Sequence, residues 1–407
     1  MYLPRLVPLV FTGYVSAVSL TDVLNANADQ LSTLNDTISR IPGVAQQLST
    51  LNNVTLFAPS NDAFKAIQMQ NANFTALASN ETYITNLLLY HAVPAVITAS
   101  MFNTTPAFVP TLLNVSGPGM ATGASAMQKV SLQLMGAAAM IFSGFKQMSM
   151  VTKYDLVFDG GVVHVIDKIL TPPGTPTETA LDLGLTSFYG ALEMTSMLDD
   201  VELLQDATIF APNNLGFEAV GSAVESASET DLMNVLSYHI VKGTNMPGMP
   251  MFSSMLLGMA PSMAGMTMSA TTKRHELETM SLATVAGGNL TVRVDVDNGE
   301  LFINSAKIVM SDVITSNGVI HVVDNVLNPV AADAVPDGAV ASQAPAFTGA
   351  TAVAEAPFTS GVMPTTTYTA ATMANTMAVA GAAGPFAAVP TAALVAAGGA
   401  VAMWANM

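Results

Sequence analysis

The sequence predicts an α+β fold built twice in tandem, and three repeated stretches predict it. TLFAPSNDAF at Thr55–Phe64 returns as TIFAPNNLGF at Thr208–Phe217. LLLYHAVP (Leu87–Pro94) is answered by VLSYHIVKG (Val235–Gly243), and GGVVHVIDKIL (Gly160–Leu170) by NGVIHVVDNVL (Asn317–Leu327). The order is kept and Pro59 and Pro212 lie 153 residues apart, so the repeat is a whole domain, too long for a solenoid unit. A unit of that size buries about 70% of its unfolded surface, enough for a core of its own.

The first residues, 1–17, carry a basic Arg5, a short proline-broken apolar run, and Val15 and Ala17 as small residues. This is the composition of a secretion signal cleaved before Val18, and the run is too short to span a bilayer. The first domain then takes 18–170. Thr21 is placed to cap a helix in which Leu24, Ala28, Leu31, Leu34 and Ile38 recur at helical spacing before Pro42-Gly43. TLF and TIF suit a buried strand, and Pro59 or Pro212 ends its ladder by removing a backbone donor. A helix follows, with Ser60-Asn61 and Asn213-Asn214 available to cap orphan amides and Phe64 or Phe217 turned inward. Ile84, Leu87, Leu88 and His91 share a helical stripe, as do Leu232, Val235, Leu236 and His239. Short apolar runs over 102–150 predict hairpins. The closing boxes open on Asp159-Gly160-Gly161 and Ser316-Asn317-Gly318, chemistry for tight turns, and continue as strands buried on both faces. TPPGTPT (171–177) is a proline-stiffened linker, and the second domain takes 178–330, with strands and Gly-rich turns from Lys273 onward.

The C-terminal composition changes. Residues 331–380 are rich in Ala, Thr, Pro and Val and almost free of charge, which predicts a disordered, O-glycosylated stalk. Residues 381–407 end in an apolar Ala/Gly-rich tail preceded by small residues, the signal for a glycosylphosphatidylinositol anchor, with Gly381 as the attachment site. The alternative is a low-complexity tail on a soluble secreted protein. A net charge of -17 with 12 basic residues excludes nucleic acid and anionic lipid surfaces as partners, leaving the membrane to the lipid anchor alone. The absence of cysteine excludes disulfides and thiolate chemistry.

The TxFAPxNxxF box, the Tyr-His pair and the NGVxHVxDxxL box resemble the fasciclin, or FAS1, domain over roughly residues 20–329. The resemblance implies a β wedge with packed helices and an adhesive or structural role at the cell surface or wall. It implies no enzyme activity and no cofactor, and its partner would be a surface or wall protein or glycan, or another copy of the chain. The shortage of Ala-Pro, Ser-Pro and Thr-Pro modules makes it look fungal rather than plant-like. Through the family, Tyr90-His91 and Tyr238-His239 become binding candidates. So do Asp155-Leu156 and Asp312-Val313, which match an Asp-Ile dipeptide without being one. The other reading of these eight residues is that they orient helix and strand by burial and hydrogen bonding.

Histidine chemistry is weak in this sequence. His164 with Asp167 and His321 with Asp324 have the spacing of a ligand pair, but residues three apart on a strand face opposite ways, so no metal site is expected. No nucleophile elbow, HExxH, phosphate loop or dinucleotide fingerprint is present. A rival reading is an extracellular copper or redox-buffering protein, since Met246, Met249, Met251, Met255, Met259, Met263, Met266 and Met268 crowd one stretch and thioethers favour Cu(I). Methionine is also an adaptable core filler. Glycosylation sequons stand at Asn35, Asn53, Asn73, Asn80, Asn103 and Asn114 in the first domain and at Asn289 in the second. Each occupied site adds a bulky glycan, so protein contacts are expected through the second domain.

Overall fold

The computed structural model describes residues 18–41, 43, 46, 52–70, 77–114, 127–243, 250–258, 277–295, 299–337, 340 and 343–364. The secretion signal, Asn73, His275, Gly381 and the anchor signal lie outside the described residues. The chain forms two compact units, one up to Thr171 and one from Pro172, with the turn Gly144–Lys146 counted to the second.

The first unit begins with α1 (Leu20–Ala26) and α2 (Ala28–Ser39). The single expected helix is broken at Asn27, and Ser19 rather than Thr21 caps it, in a capping box with Asp22. Next come β1 (Val54–Pro59), α3 (Asn61–Gln70), α4 (Glu81–Tyr90) and β2 (Ala92–Val93). The segment expected to form hairpins supplies β3 (Ala107–Asn114), β4 (Met127–Met135), β5 (Ala138–Phe142) and β6 (Met148–Phe158), antiparallel in sequence, and β7 (Gly161–Ile166) closes the sheet in the order β2-β1-β7-β6-β5-β4-β3. The first and last repeated boxes thus lie side by side. β1 and β7 pair in parallel from Val54↔Gly161 to Pro59↔Ile166, and every residue of β1 is buried, as strands covered on both faces require. Beyond Pro59, Ser60 Oγ accepts from Ala63 N at 3.2 Å, while Asn61 Oδ1 accepts from Thr33 N at 2.9 Å and so fastens α3 to α2. Leu24, Leu31, Leu34, Leu56, Leu88 and Val163 form the core on the helical side.

The second unit repeats the plan. α5 (Pro176–Asp182) starts inside the expected linker, capped by Thr175, and is followed by α6 (Thr186–Met194) and α7 (Leu198–Glu202). Then follow β8 (Ala207–Pro212), α8 (Asn214–Ala219), α9 (Gly221–Glu225), α10 (Glu229–Tyr238), β9 (Ile240–Val241) and α11 (Ser253–Gly258). β10 (Leu277–Ala283), β11 (Asn289–Asp295), β12 (Glu300–Ile303), β13 (Ala306–Thr315) and β14 (Gly318–Val323) complete a sheet ordered β10-β11-β12-β13-β14-β8-β9. Strand alternation divides its core. Ile209, Ala211, Ile320 and Val322 face the helices, whereas Phe210 and Val323 join Tyr238, Leu290, Val292 and Ile303 on the other side.

The stalk expected from Ala331 needs correction over residues 343–364, which dock on the second unit as a strap. Asn325 Nδ2 donates to Gln343 O and Asn328 Nδ2 to Ala346 O, both at 2.9 Å, and Val353 N donates to Glu218 O at 3.0 Å. Phe347, Ala350 and Phe358 rest on the helical core, Phe358 edge-on to Phe217 at 6.1 Å. Composition misled because Ala- and Thr-rich sequence needs only a few apolar anchors once a groove exists. Three half-buried anchors contribute about 2 kcal/mol net, so a second-domain fragment ending at residue 330 is expected to melt roughly 5 °C below one ending at 364. Coincident melting curves by circular dichroism would show that the strap adds nothing.

Candidate functional site

The Tyr-His pair closes a helix in each unit. His91 caps α4, where its Nδ1 donates to Leu87 O at 2.7 Å and its Nε2 accepts from Leu170 N at 2.9 Å. His239 caps α10 in the same way, with Val235 O and Leu327 N each at 2.8 Å. Since a carbonyl only accepts and an N–H only donates, both rings are neutral Nδ1–H tautomers. Burial pushes both pKa values down to about 4. Their carbonyls accept from Phe57 N and Phe210 N, so one residue fastens helix end, central strand and the segment after the closing box. The tyrosines reach the far hairpins. Tyr90 Oη donates to Lys129 O at 2.9 Å, and Tyr238 Oη donates to Asn289 O at 2.7 Å while accepting from Asn304 Nδ2 at 3.0 Å. Tyr238→Phe strands both of those partners and is expected to cost about 2 kcal/mol in urea denaturation, against about 1 kcal/mol for Tyr90→Phe. Equal losses would remove the Asn304 contribution.

The closing-box histidines use the opposite tautomer. His164 Nε2 donates to Ile97 O at 2.7 Å and Nδ1 accepts from Asp155 N at 3.3 Å; His321 Nε2 donates to Met251 O at 2.8 Å and Nδ1 accepts from Asp312 N at 3.2 Å. Phe57 and Phe210 stack on these rings. Burial first of all lowers both pKa values, keeping the rings neutral beside their aspartates. The aspartates sit where the ladder slips, between Lys153 and Leu156 and between Met310 and Val313. Their φ angles are +52° and +61°, a left-handed geometry that aspartate tolerates. The bulge aims each carboxylate out of the ladder. Asp155 Oδ1 accepts from Ala99 N at 2.9 Å, and Asp312 accepts from Ser253 N at 2.7 Å and from the Ser253 hydroxyl. Asp167 and Asp324 point elsewhere and accept from Met150 N and Lys307 N, so neither shares a ligand with its histidine. With every ring nitrogen committed to main chain, these histidines hold the fold rather than a metal or a reacting proton. Among the described residues no group of three His, Asp or Glu could hold a metal ion.

Accessibility separates the candidates. Tyr90, His91, Tyr238, His239, Asp312 and Val313 are buried; Leu156 is half-buried and Asp155 is exposed. Near Asp155 in sequence, Tyr154 and Val157 (66%) are exposed, as is Met101 (59%) on the turn whose start Asp155 caps. In the second unit the residue after Val313, Ile314, is only 3% exposed. Sequence reading missed Tyr154 and Val157 because a bulge shifts which side chains of the strand face outward, and it missed Met101 because the turn that carries it is held by a distant aspartate. Of the sequons, Asn53, Asn80, Asn103, Asn114 and Asn289 are exposed, and Asn35 is half-buried with its amide on Asn25. Met251 and Met255 belong to the core of the second unit, and the other six methionines of the copper reading lie outside the described residues. No described helix is long and apolar enough to cross a membrane.

Comparison with known proteins gives the same repeat. The family model described as Fasciclin domain matches residues 29–172 and 183–329. A fasciclin-like arabinogalactan protein of Arthroderma benhamiae is 31% identical over 334 residues, covering 82% of this chain and 72% of its own length. Another, from Cercospora beticola, is 26% identical over 330 residues and covers 77% of each. A solved FAS1 domain pair from the insect cell adhesion molecule fasciclin I aligns at 18% identity over 73% of this chain and 96% of its own, at a TM-score of 0.34 that carries no weight. Two matches to the domain, in the register set by the repeated boxes, mean that the chain belongs to the fasciclin family.

Proposed function

We propose that the chain is a secreted adhesion glycoprotein, held at the outer face of the plasma membrane or in the cell wall through a lipid anchor at Gly381. Its contact face lies around Asp155 in the first domain, and its partner is a surface or wall protein or glycan, or another copy of itself. The observation that carries this is the exposure of Tyr154, Asp155 and Val157 along β6 and of Met101 on the turn that Asp155 Oδ1 caps, with the Asp155 backbone held by His164 Nδ1. Such a preorganised patch loses little entropy on binding. Burial of Tyr238, His239, Asp312 and Val313 leaves these four side chains unavailable for direct contact, which favours the Asp155 face among the eight candidates. In this reading the eight candidates divide into one accessible acid, one half-buried neighbour and six buried residues whose part is to position the scaffold.

Val157→Asp should leave the melting temperature nearly unchanged, since the side chain is exposed, yet lower adhesion of protein-coated beads to cells at least tenfold. Unchanged adhesion by the folded variant would remove this face from the proposal. The Asn103 glycan would stand two residues from Met101, so Thr105→Ala, which destroys that sequon, should strengthen adhesion. Lipid anchorage is tested separately. Phosphatidylinositol-specific phospholipase C should release the protein from membranes, and retention with the 381–407 tail intact would exclude the anchor.

A further inference from the structure

The strap lies in a groove whose floor is built for it. A Cβ on Gly190, in the middle of α6, would fall 1.8 Å from Phe358 O, and one on Gly221, at the start of α9, would fall 2.1 Å from Val353 Cγ2. Backbone contacts flank these points: Ser222 N donates to Thr351 O at 3.2 Å, Thr351 N to Ser222 Oγ at 2.8 Å, and Val353 N to Glu218 O at 3.0 Å. The seat is shallow. Gln343 and Pro357 are buried, Phe347, Val353 and Phe358 are half-buried, and most other strap residues are exposed. A segment with so few buried anchors detaches without unfolding the domain beneath it.

At the equivalent described positions of the first domain the two glycines are replaced. Thr33 N bonds Asn61 Oδ1 as Ser187 N bonds Asn214 Oδ1, which aligns Asp36 with Gly190; Phe64 and Phe217, equivalent in the repeated box, align Gln68 with Gly221. Side chains therefore stand where the strap's backbone would run. The groove distinguishes one domain of this chain from the other, and its shape is matched to one sequence, QAPAFTGATAVAEAPFTSGVMP, residues 343–364.

We propose that this groove is also a site of contact between two copies of the chain, each copy's residues 343–364 docking on the second domain of the other. The occupant seen in cis is chemically identical to the one offered in trans, so exchange makes and breaks the same interface, the condition under which swapped dimers form at low cost. In cis the strap is held by its tether at an effective concentration on the order of 1 mM. If it is docked about 30-fold more often than free, the same interface in trans has a Kd of about 30 µM. Isolated chains would be monomeric, and crowding at a surface would favour exchange. This contact does not depend on the Asp155 face, and it is measured in solution without cells, so either proposal can fail alone.

Complementation tests it. Gly190→Ala, a change that favours the helix itself, blocks the groove and frees an intact strap. Val353→Asp with Phe358→Ser leaves the groove empty. Each full-length variant alone should sediment as a monomer, and an equimolar mixture at about 100 µM should form a heterodimer, since that lies above the Kd derived from the tether. A labelled 343–364 peptide should bind the Val353→Asp/Phe358→Ser chain near 30 µM and the wild type about 30-fold more weakly, because the wild type's own strap competes. Monomers only in the mixture, or equal peptide affinity for wild type and variant, overturns the proposal; the wild-type peptide measurement holds even where a variant fails to fold.

Discussion

Gly161→Ala is expected to unfold the first domain at ambient temperature while the second melts as before. Gly161 has φ of +152°, and a Cβ there would sit 1.8 Å from Val54 O and 2.8 Å from the Val54 carbonyl carbon. Those are main-chain atoms of the central strand, with no flexible end to give way. Val54↔Gly161 is the first pair of the parallel ladder between the two repeated boxes, and Val54 N donates to Gly160 O at 3.0 Å in the same corner. Relieving the clash separates the strands on which both faces of the core are built. The cost should exceed about 4 kcal/mol, a large part of the 5–15 kcal/mol that holds a typical domain. Gly318→Ala should do the same to the second domain, where the Cβ would lie 2.0 Å from Ala207 O. Gly136→Ala is the control: its φ is +62°, but nothing lies within 4 Å of the added carbon, so only backbone strain of about 1 kcal/mol is lost. Calorimetry of the three variants decides the matter, and a Gly161→Ala chain melting within about 2 °C of the Gly136→Ala control would refute the steric account.

The three boxes were legible because each carries local chemistry that survives without tertiary information. TLFAP and GGVVHVI read as strands, and their pairing with each other explains why both recur together; Ser60-Asn61 and Asn213-Asn214 read as caps, although Asn61 and Asn214, the second residue of each pair, bind an earlier helix. His91 and His239 were placed on an apolar helical stripe, and the structure shows them spending both ring nitrogens on main chain. What escaped reading depends on distant contacts. The bulges at Asp155 and Asp312 follow from the approach of Ala99 and Ser253, 56 and 59 residues away in sequence. The strap has no periodicity of its own, and its conformation is dictated by Gly190 and Gly221 in helices that give no sign of a ligand. The difference between an exposed Val157 and a buried Ile314 is likewise not signalled by Leu156-Val157 and Val313-Ile314, two apolar dipeptides after the same aspartate.

Acidification is expected to weaken both domains through the residues the repeat preserves best. An unfolded histidine takes up its proton near pH 6.5, whereas buried His91 and His239 do so at about 4. Between those values the unfolded chain binds more protons than the folded one, so the stabilisation is complete above pH 6.5 and is lost as pH falls toward 4. At 1.36 kcal/mol per pH unit each of these residues costs its domain about 3 kcal/mol over that window. His164 and His321, also held low mainly by burial, act in the same direction. Asp324 opposes them: burial raises its pKa, the folded second domain takes that proton first, and part of its loss is offset. The first domain should therefore be the more acid-sensitive. Self-repulsion from a net charge of -17 also shrinks on acidification, so the comparison belongs in high salt, where that contribution is screened. Urea midpoints of the two domains at pH 7, 5.5 and 4 should fall in step with the histidine window. His91→Gln, which removes the titrating group, should start lower at pH 7 and fall less steeply. Midpoints that hold constant from pH 7 to 4 would mean that His91 and His239 bind protons in the folded chain as readily as in the unfolded one, which two buried main-chain hydrogen bonds per ring do not permit.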